Sequence, residues 1–234
     1  MKSWFDTEFI EDGKTIDLLS IGIVREDGQE YYAVSRDADL SKASDWVKEN
    51  VLSKMSFDGA KPRHQIREEV EKFLRADGTK PEIWGYYADY DWVVLCQLFG
   101  RMIDLPKGFP MYCRDVKQLC AEVGNPTLPK QGIGEHHALF DANWTKEAWA
   151  FCEERRRIRK ESDDLLRKIL WILARQSDTT TLQIPEADLV KIPDEAELMT
   201  WKEQLFDAVM IKAICKPINQ PEISRRVHGE DKKP

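Results

Sequence analysis

Apolar and polar positions alternate from the start of the chain, where "MKSWFDTEFIEDG" surrounds two acidic residues with aromatics, and the pattern predicts a strand over 4–9. The following "KTIDLLSIGIVREDGQEYYAVSRD" holds two apolar runs around Asp27-Gly28, a turn dipeptide, and reads as a strand, a turn and a strand through 31–34. These make an antiparallel three-stranded meander. The spacing then becomes helical over "LSKASDWVKENVLSKM" and "PRHQIREEVEKFLRADG", with Pro62 near the start and Gly78 past the end of the second. "KPEIWGYYA" is a short apolar strand, and "DYDWVVLCQLFG" is a helix with aspartates at its start and Gly100 at its close. After a loop rich in Pro and Gly come the helical "CRDVKQLCAEVG" and a glycine-containing loop, "QGIGEHH". A long helical stretch free of Gly and Pro then runs to about Gln176. Strands followed by helices alternating with further strands specify an α/β layer architecture. Past Gln176 the character changes to β-branched residues and prolines. "TWKEQLFDAVMIKAI" there fits either a helix aligning Trp201, Leu205 and Val209 or a hairpin turning near Phe206-Asp207, and the last dozen residues are polar and frayed.

Composition narrows the picture. A chain of 234 residues with 33% charged residues and eight tryptophans can bury a proper core. No apolar run is long enough to span a bilayer, and the N-terminus lacks a signal peptide's apolar stretch, so a cytoplasmic location with no membrane partner is expected. The five cysteines are scattered and never form a Cys-x-x-Cys pair, which argues for reduced, mostly buried thiols rather than disulfides or zinc. A net charge of −7 is unlike a nucleic-acid binder that relies on a basic surface. An enzyme that grips phosphates through bound divalent ions escapes that exclusion, because each ion brings two positive charges.

Three places set acidic residues at the ends of core elements. Asp6 and Glu8 stand at i and i+2 of the first strand, so both carboxylates leave the same face and repel each other unless a cation lies between them. Asp89 and Asp91 sit at a strand-to-helix junction, and His136 precedes Asp141 by five residues at a loop-to-helix junction. Singly, each has a plainer reading: a solvated loop, a helix N-cap, an exposed helical acid, a surface imidazole. Together they lie where an α/β sheet gathers its loop ends. Mg²⁺ and Mn²⁺ take oxygen ligands, and a site for two such ions needs about four carboxylates. Two ions roughly 3.5–4 Å apart stabilise the attacking and leaving oxygens of phosphoryl displacement. Histidine is the ordinary choice for the base that takes the proton of the attacking water. Residues five apart do not share a helix face, so His136 belongs on the preceding loop, which Gly132 and Gly134 make plausible.

The ordered set Asp6-x-Glu8, Tyr90-Asp91 and His136-x-Ala138-x-x-Asp141 resembles the DEDDh exonucleases of the ribonuclease H-like superfamily. The contexts "FDTEF", "LLSIGIV", "YYADYDWVVLCQLFG" and "HHALFDANWT" resemble more narrowly the ribonuclease AS-like 3′-5′ exoribonucleases, over roughly residues 1–157. The resemblance implies a mixed five-stranded sheet flanked by helices, and hydrolysis of single-stranded RNA from the 3′ end to nucleoside 5′-monophosphates. It also implies two Mg²⁺ or Mn²⁺ ions and a homodimer. Carried over by residue, Asp6 bridges both ions, Glu8 and Asp141 complete the shell of the first, Asp91 holds the second partly through water, and His136 is the general base. His137 stands in place of the tyrosine motif of the sister branch and is the lesser candidate for the base, as Asp89 is beside Asp91; His137 is also counted with Thr7 and Phe9 as a candidate for binding substrate. The Thr7 backbone and the Phe9 ring are positions to meet the terminal nucleotide, with strand packing as their plainer role. Where the resemblance ends, the expectation is an accessory segment over 158–223, a small C-terminal appendage, and a disordered tail over 224–234. The basic run "RRRIRK" at its entrance is interleaved with acids, as on a solvated helix face. A DNA exonuclease would use the same residues, differing in its demand for the sugar 2′-OH. A catalytically retired nucleic-acid-binding module is the reading from another class.

Overall fold

The computed structural model describes residues 1–176 apart from 133. The chain divides into two compact units, Met1–Leu170 and Trp171–Pro234, and the architecture below is that of the first. The tail expected over 224–234 and most of the accessory segment over 158–223 lie outside the described residues, as does the helix-or-hairpin alternative near Trp201.

Strands β1 (Lys2–Glu11), β2 (Ile16–Arg25) and β3 (Glu30–Val34) form the meander that the alternation specifies. After α1 (Asp45–Asn50) and α2 (Arg63–Leu74), β4 (Glu82–Gly85) returns beside β1 in parallel. Helix α3 (Asp89–Phe99) follows, closed by Gly100 at φ +113, a value that favours glycine. Then come β5 (Arg114–Asp115), α4 (Val116–Glu122) and α5 (Ala138–Gln176). The strand order is β3-β2-β1-β4-β5, a mixed five-stranded sheet with helices on both faces. Trp4 points to one face and meets Trp84, Val116, Leu119, Ala148 and Cys152, burying α4 and α5 there. Phe5 points to the other and meets Ile66 and Val70 of α2 and Val94 and Leu95 of α3. Truncating a side chain as enclosed as Phe5, 1% exposed, costs about 3–5 kcal/mol. Among the described residues no helix is long and apolar enough to cross a membrane. The described cysteines, Cys96, Cys113, Cys120 and Cys152, are free, and all but the half-buried Cys113 are buried.

Two elements differ from the periodicity. The stretch 40–55 is not one helix but α1 flanked by 3-10 turns at Leu40–Lys42 and Leu52–Lys54. Ser44 interrupts it: its backbone is extended and its hydroxyl accepts from Val47 N–H, the geometry of an N-cap. The bends let Ala43 and Val51 both reach Ile10 and Leu19. Strand β5 lies inside a stretch that reads as helical, because two residues show no period and Asp115 also caps α4 by accepting from Lys117 and Gln118 N–H.

Candidate active site

The strand order reverses between β1 and β4, the place where open α/β sheets leave a crevice beyond the carboxyl ends of their strands. β4 pairs with β1 only from Lys2 to Trp4, so the rest of β1 presents an open edge. Past that point Asp6 lies opposite Gly22 and Glu8 opposite Ser20, on the face covered by α5. The register then skips Leu19, bringing Phe9 opposite Leu18, a bulge of the kind that re-aims side chains beside functional sites.

Each other acid arrives on the first turn of a helix. Asp91 on α3 is fixed by Thr7, whose backbone N–H and hydroxyl both donate to its Oδ1, at 2.8 Å and 2.6 Å. Asp141 on α5 accepts the His136 backbone N–H at 2.8 Å and a bond from Gln131 Nε2. α5 can begin so close to Asp6 because Gly22 has no side chain: a Cβ there would lie 2.3 Å from the Ala138 carbonyl carbon. His136 holds a left-handed backbone, φ +65, and its imidazole meets the edge of Trp46 with ring centres 5.0 Å apart. Asp6, Glu8, Asp91, Asp141 and His136 line one cleft of about 430 Å³, with Thr7, Phe9, Trp46 and Tyr87 among its other walls.

Not every residue singled out in the sequence stands free to act in this cleft. His137 turns away, its ring stacked on Tyr32 at 4.5 Å and edge-on to Phe140 at 5.0 Å. Asp89 is exposed, whereas Asp91 is buried. Thr7 spends its N–H and hydroxyl on Asp91, and Phe9 stacks on Tyr90 with ring centres 5.8 Å apart. Glu11 accepts from Gly13 N–H as a turn residue and also lines the cleft. Gln131, Gly22 and Trp46 are participants that pattern reading passes over. Gly22 alone left a trace, as a glycine inside an otherwise apolar strand, which marks a close approach.

The electrostatics are those of acids brought together with little counter-charge. Burial, reinforced by Asp91, Glu8 and Asp141, holds the Asp6 carboxyl well above the usual range. Burial and then the Asp141 and Asp91 charges push Glu8 up to about 8, with Lys54 opposing. Burial raises Asp91 to about 6 against the pull of the Thr7 hydrogen bonds. Asp141 is raised by burial, with Gln131 and the His136 N–H opposing. Among the described residues, no Lys or Arg lines the cleft. Such a set of oxygen donors fits a hard divalent cation, which would remove the repulsion that raises these groups. Glu8, His136 and Asp141 each offer a ligand atom within 4.8 Å of the others.

A family model described as a 3'-5' exoribonuclease Rv2179c-like domain matches residues 1–153. Two proteins of Mycobacterium tuberculosis are each 47% identical to the chain over 146 residues, 61% of this chain and 87% of theirs. They are 3'-5' exoribonuclease Rv2179c of strain ATCC 25618 / H37Rv and 3'-5' exoribonuclease MT2234.1 of strain CDC 1551 / Oshkosh. Among solved structures, one of 3'-end specific recognition of histone mRNA stem-loop by 3'-exonuclease is 11% identical, with a TM-score of 0.43, over 65% of this chain and 63% of that one. S. pombe Pop2p, in a Mg2+ and Mn2+ bound form, is 14% identical, with a TM-score of 0.40, over 67% and 83%. Those two likenesses are too slight to bear on the site. The family match, by contrast, spans every carboxylate of the cleft and His136, and the chain belongs to the 3'-5' exoribonuclease Rv2179c-like family.

Proposed function

We propose that this 3′-5′ exoribonuclease hydrolyses single-stranded RNA to nucleoside 5′-monophosphates with two Mg²⁺ or Mn²⁺ ions held by Asp6, Glu8, Asp91 and Asp141. The observation that carries the reading is the convergence of four acids from β1, α3 and α5, all with raised pKa values, on one cleft with His136. Bound there, such ions would stabilise the attacking and leaving oxygens of the phosphodiester. Asp6 would be shared between them, Glu8 and Asp141 would serve the first, and Asp91, held by Thr7, the second. His136 would accept the proton of the attacking water as its oxygen bonds to phosphorus and the bond to the 3′-oxygen of the shortened chain breaks. With no Lys or Arg among the described residues lining the cleft, the RNA's hold on the protein would rest on the bound ions and on stacking. Tyr87, 63% exposed, offers a ring that suits an unpaired base. A homodimer, which the resemblance implies, belongs to the same proposal, and so does a cytoplasmic site of action.

The test is a 5′-labelled RNA oligomer incubated with the full chain, Mg²⁺ or Mn²⁺ against chelator, with a DNA oligomer in parallel. Stepwise shortening of RNA only with metal is expected. Shortening in chelator, or its persistence at the wild-type rate in Asp6→Ala, would overturn the metal assignment. Equal shortening of DNA would broaden the substrate to both sugars, and sedimentation as a monomer would remove the dimer.

A further inference from the structure

His136 holds a left-handed backbone, φ +65, which is uncommon outside glycine although histidine adopts it more often than most residues, and its N–H donates to Asp141 at 2.8 Å. Two contacts from a different segment hold it as well. Lys54 Nζ donates to the Glu135 carbonyl oxygen at 2.7 Å, gripping the peptide that leads into His136. Trp46 sets its ring edge-on to the imidazole, 5.0 Å between centres and 78° between planes. Both residues come from the stretch between β3 and α2, which is anchored where Ala43 and Val51 pack on Ile10 and Leu19. Leu19 is the residue skipped in the β1–β2 register beside Glu8. The stretch is therefore fastened to the strands that carry the carboxylates, and it reaches across to the loop that carries the histidine.

We infer that Lys54 and Trp46 are positioning residues for this reaction: together they brace His136 so that its ring stays over the carboxylates. The inference rests on His136 being the general base. Misplacing a catalytic group by about 1 Å lowers rate by about 100-fold, so the brace acts on turnover and not on RNA binding.

The experiment is steady-state and single-turnover hydrolysis of an RNA oligomer by the full chain with Mn²⁺. It compares Lys54→Met, Lys54→Arg and Trp46→Leu, each alone and in a His136→Ala background, with melting curves as the folding control. Lys54 is exposed, so its variants fold. Lys54→Met is expected to lower kcat by about 10- to 100-fold with KM within about two-fold, and Lys54→Arg to restore most of it. In His136→Ala, Lys54→Met should cost nothing further, because its effect passes through the missing ring. Multiplicative losses in that background would overturn the inference and assign Lys54 to the charge of Glu8 or to the RNA. A raised KM with unchanged kcat, or no loss at all, would also overturn it. A His136→Ala enzyme at the wild-type rate would remove the base reading and the inference with it, whereas a crippled one with multiplicative losses would remove the inference alone.

Discussion

Thr7 stands between Asp6 and Glu8 in sequence, and in the fold it ties their strand to Asp91, 84 residues away. The two neighbouring acids were legible because a strand's period of two puts i and i+2 on one face. The role of Thr7 was not, since nothing local says which carboxylate will lie beside its hydroxyl. The same holds for Gln131, whose amide reaches Asp141. Replacing Thr7 by valine keeps the volume and the backbone donor but removes the shorter of the two bonds. The expected outcome in melting experiments is a loss of about 1–2 kcal/mol, because a buried acceptor loses a donor. Activity titrations should also need more Mn²⁺ for half-maximal rate, since the freed Asp91 side chain is no longer aimed. A variant that melts and titrates like the wild type would show the bond to be incidental.

At the level of elements, the long periodic stretches α2, α3 and α5 and the strands of the meander were readable from spacing, but their docking distances were not. α5 meets the sheet at Gly22, where the carbonyl carbon of Ala138 would be 2.3 Å from an added Cβ. That contact is to backbone, so no rotamer change relieves it. Gly22→Ala is therefore expected to destabilise the fold by about 2 kcal/mol and, by pushing the start of α5 outward, to carry Asp141 away from Asp6 and Glu8. Calorimetry and kcat measured on the same preparation check both effects. An alanine variant with normal stability would mean that the helix start yields freely. β5 and the turns around α1 mark the limit of pattern reading, because elements of two or three residues carry less than one period of signal.

For the molecule as a whole, an acidic chain crowds four of its acids into one cleft, and stability should record it. Folding raises Glu8 from 4.5 to about 8 and Asp91 from 3.8 to about 6, so the folded state binds protons more tightly than the unfolded one. These groups cost nothing below the unfolded values, and the cost grows as pH rises through about 4.5 to about 8. In chelator, the melting temperature should fall between pH 5 and pH 8, and Glu8→Gln should flatten that slope. With Mn²⁺, which takes the deprotonated acids, the metal-induced rise should grow over the same interval. A chelated melting temperature that climbs with pH would contradict this arrangement. Alternation, helical spacing and the order of three acidic motifs are properties of neighbouring residues, and they sufficed to read the layers of the fold, the candidate acids and the resemblance to an exonuclease family. The grip of Thr7 on Asp91, the seat of α5 on Gly22 and the reach of Lys54 to Glu135 join residues 84, 116 and 81 positions apart. No local period encodes such contacts; the packing of the layers brings them together, and with them the cleft.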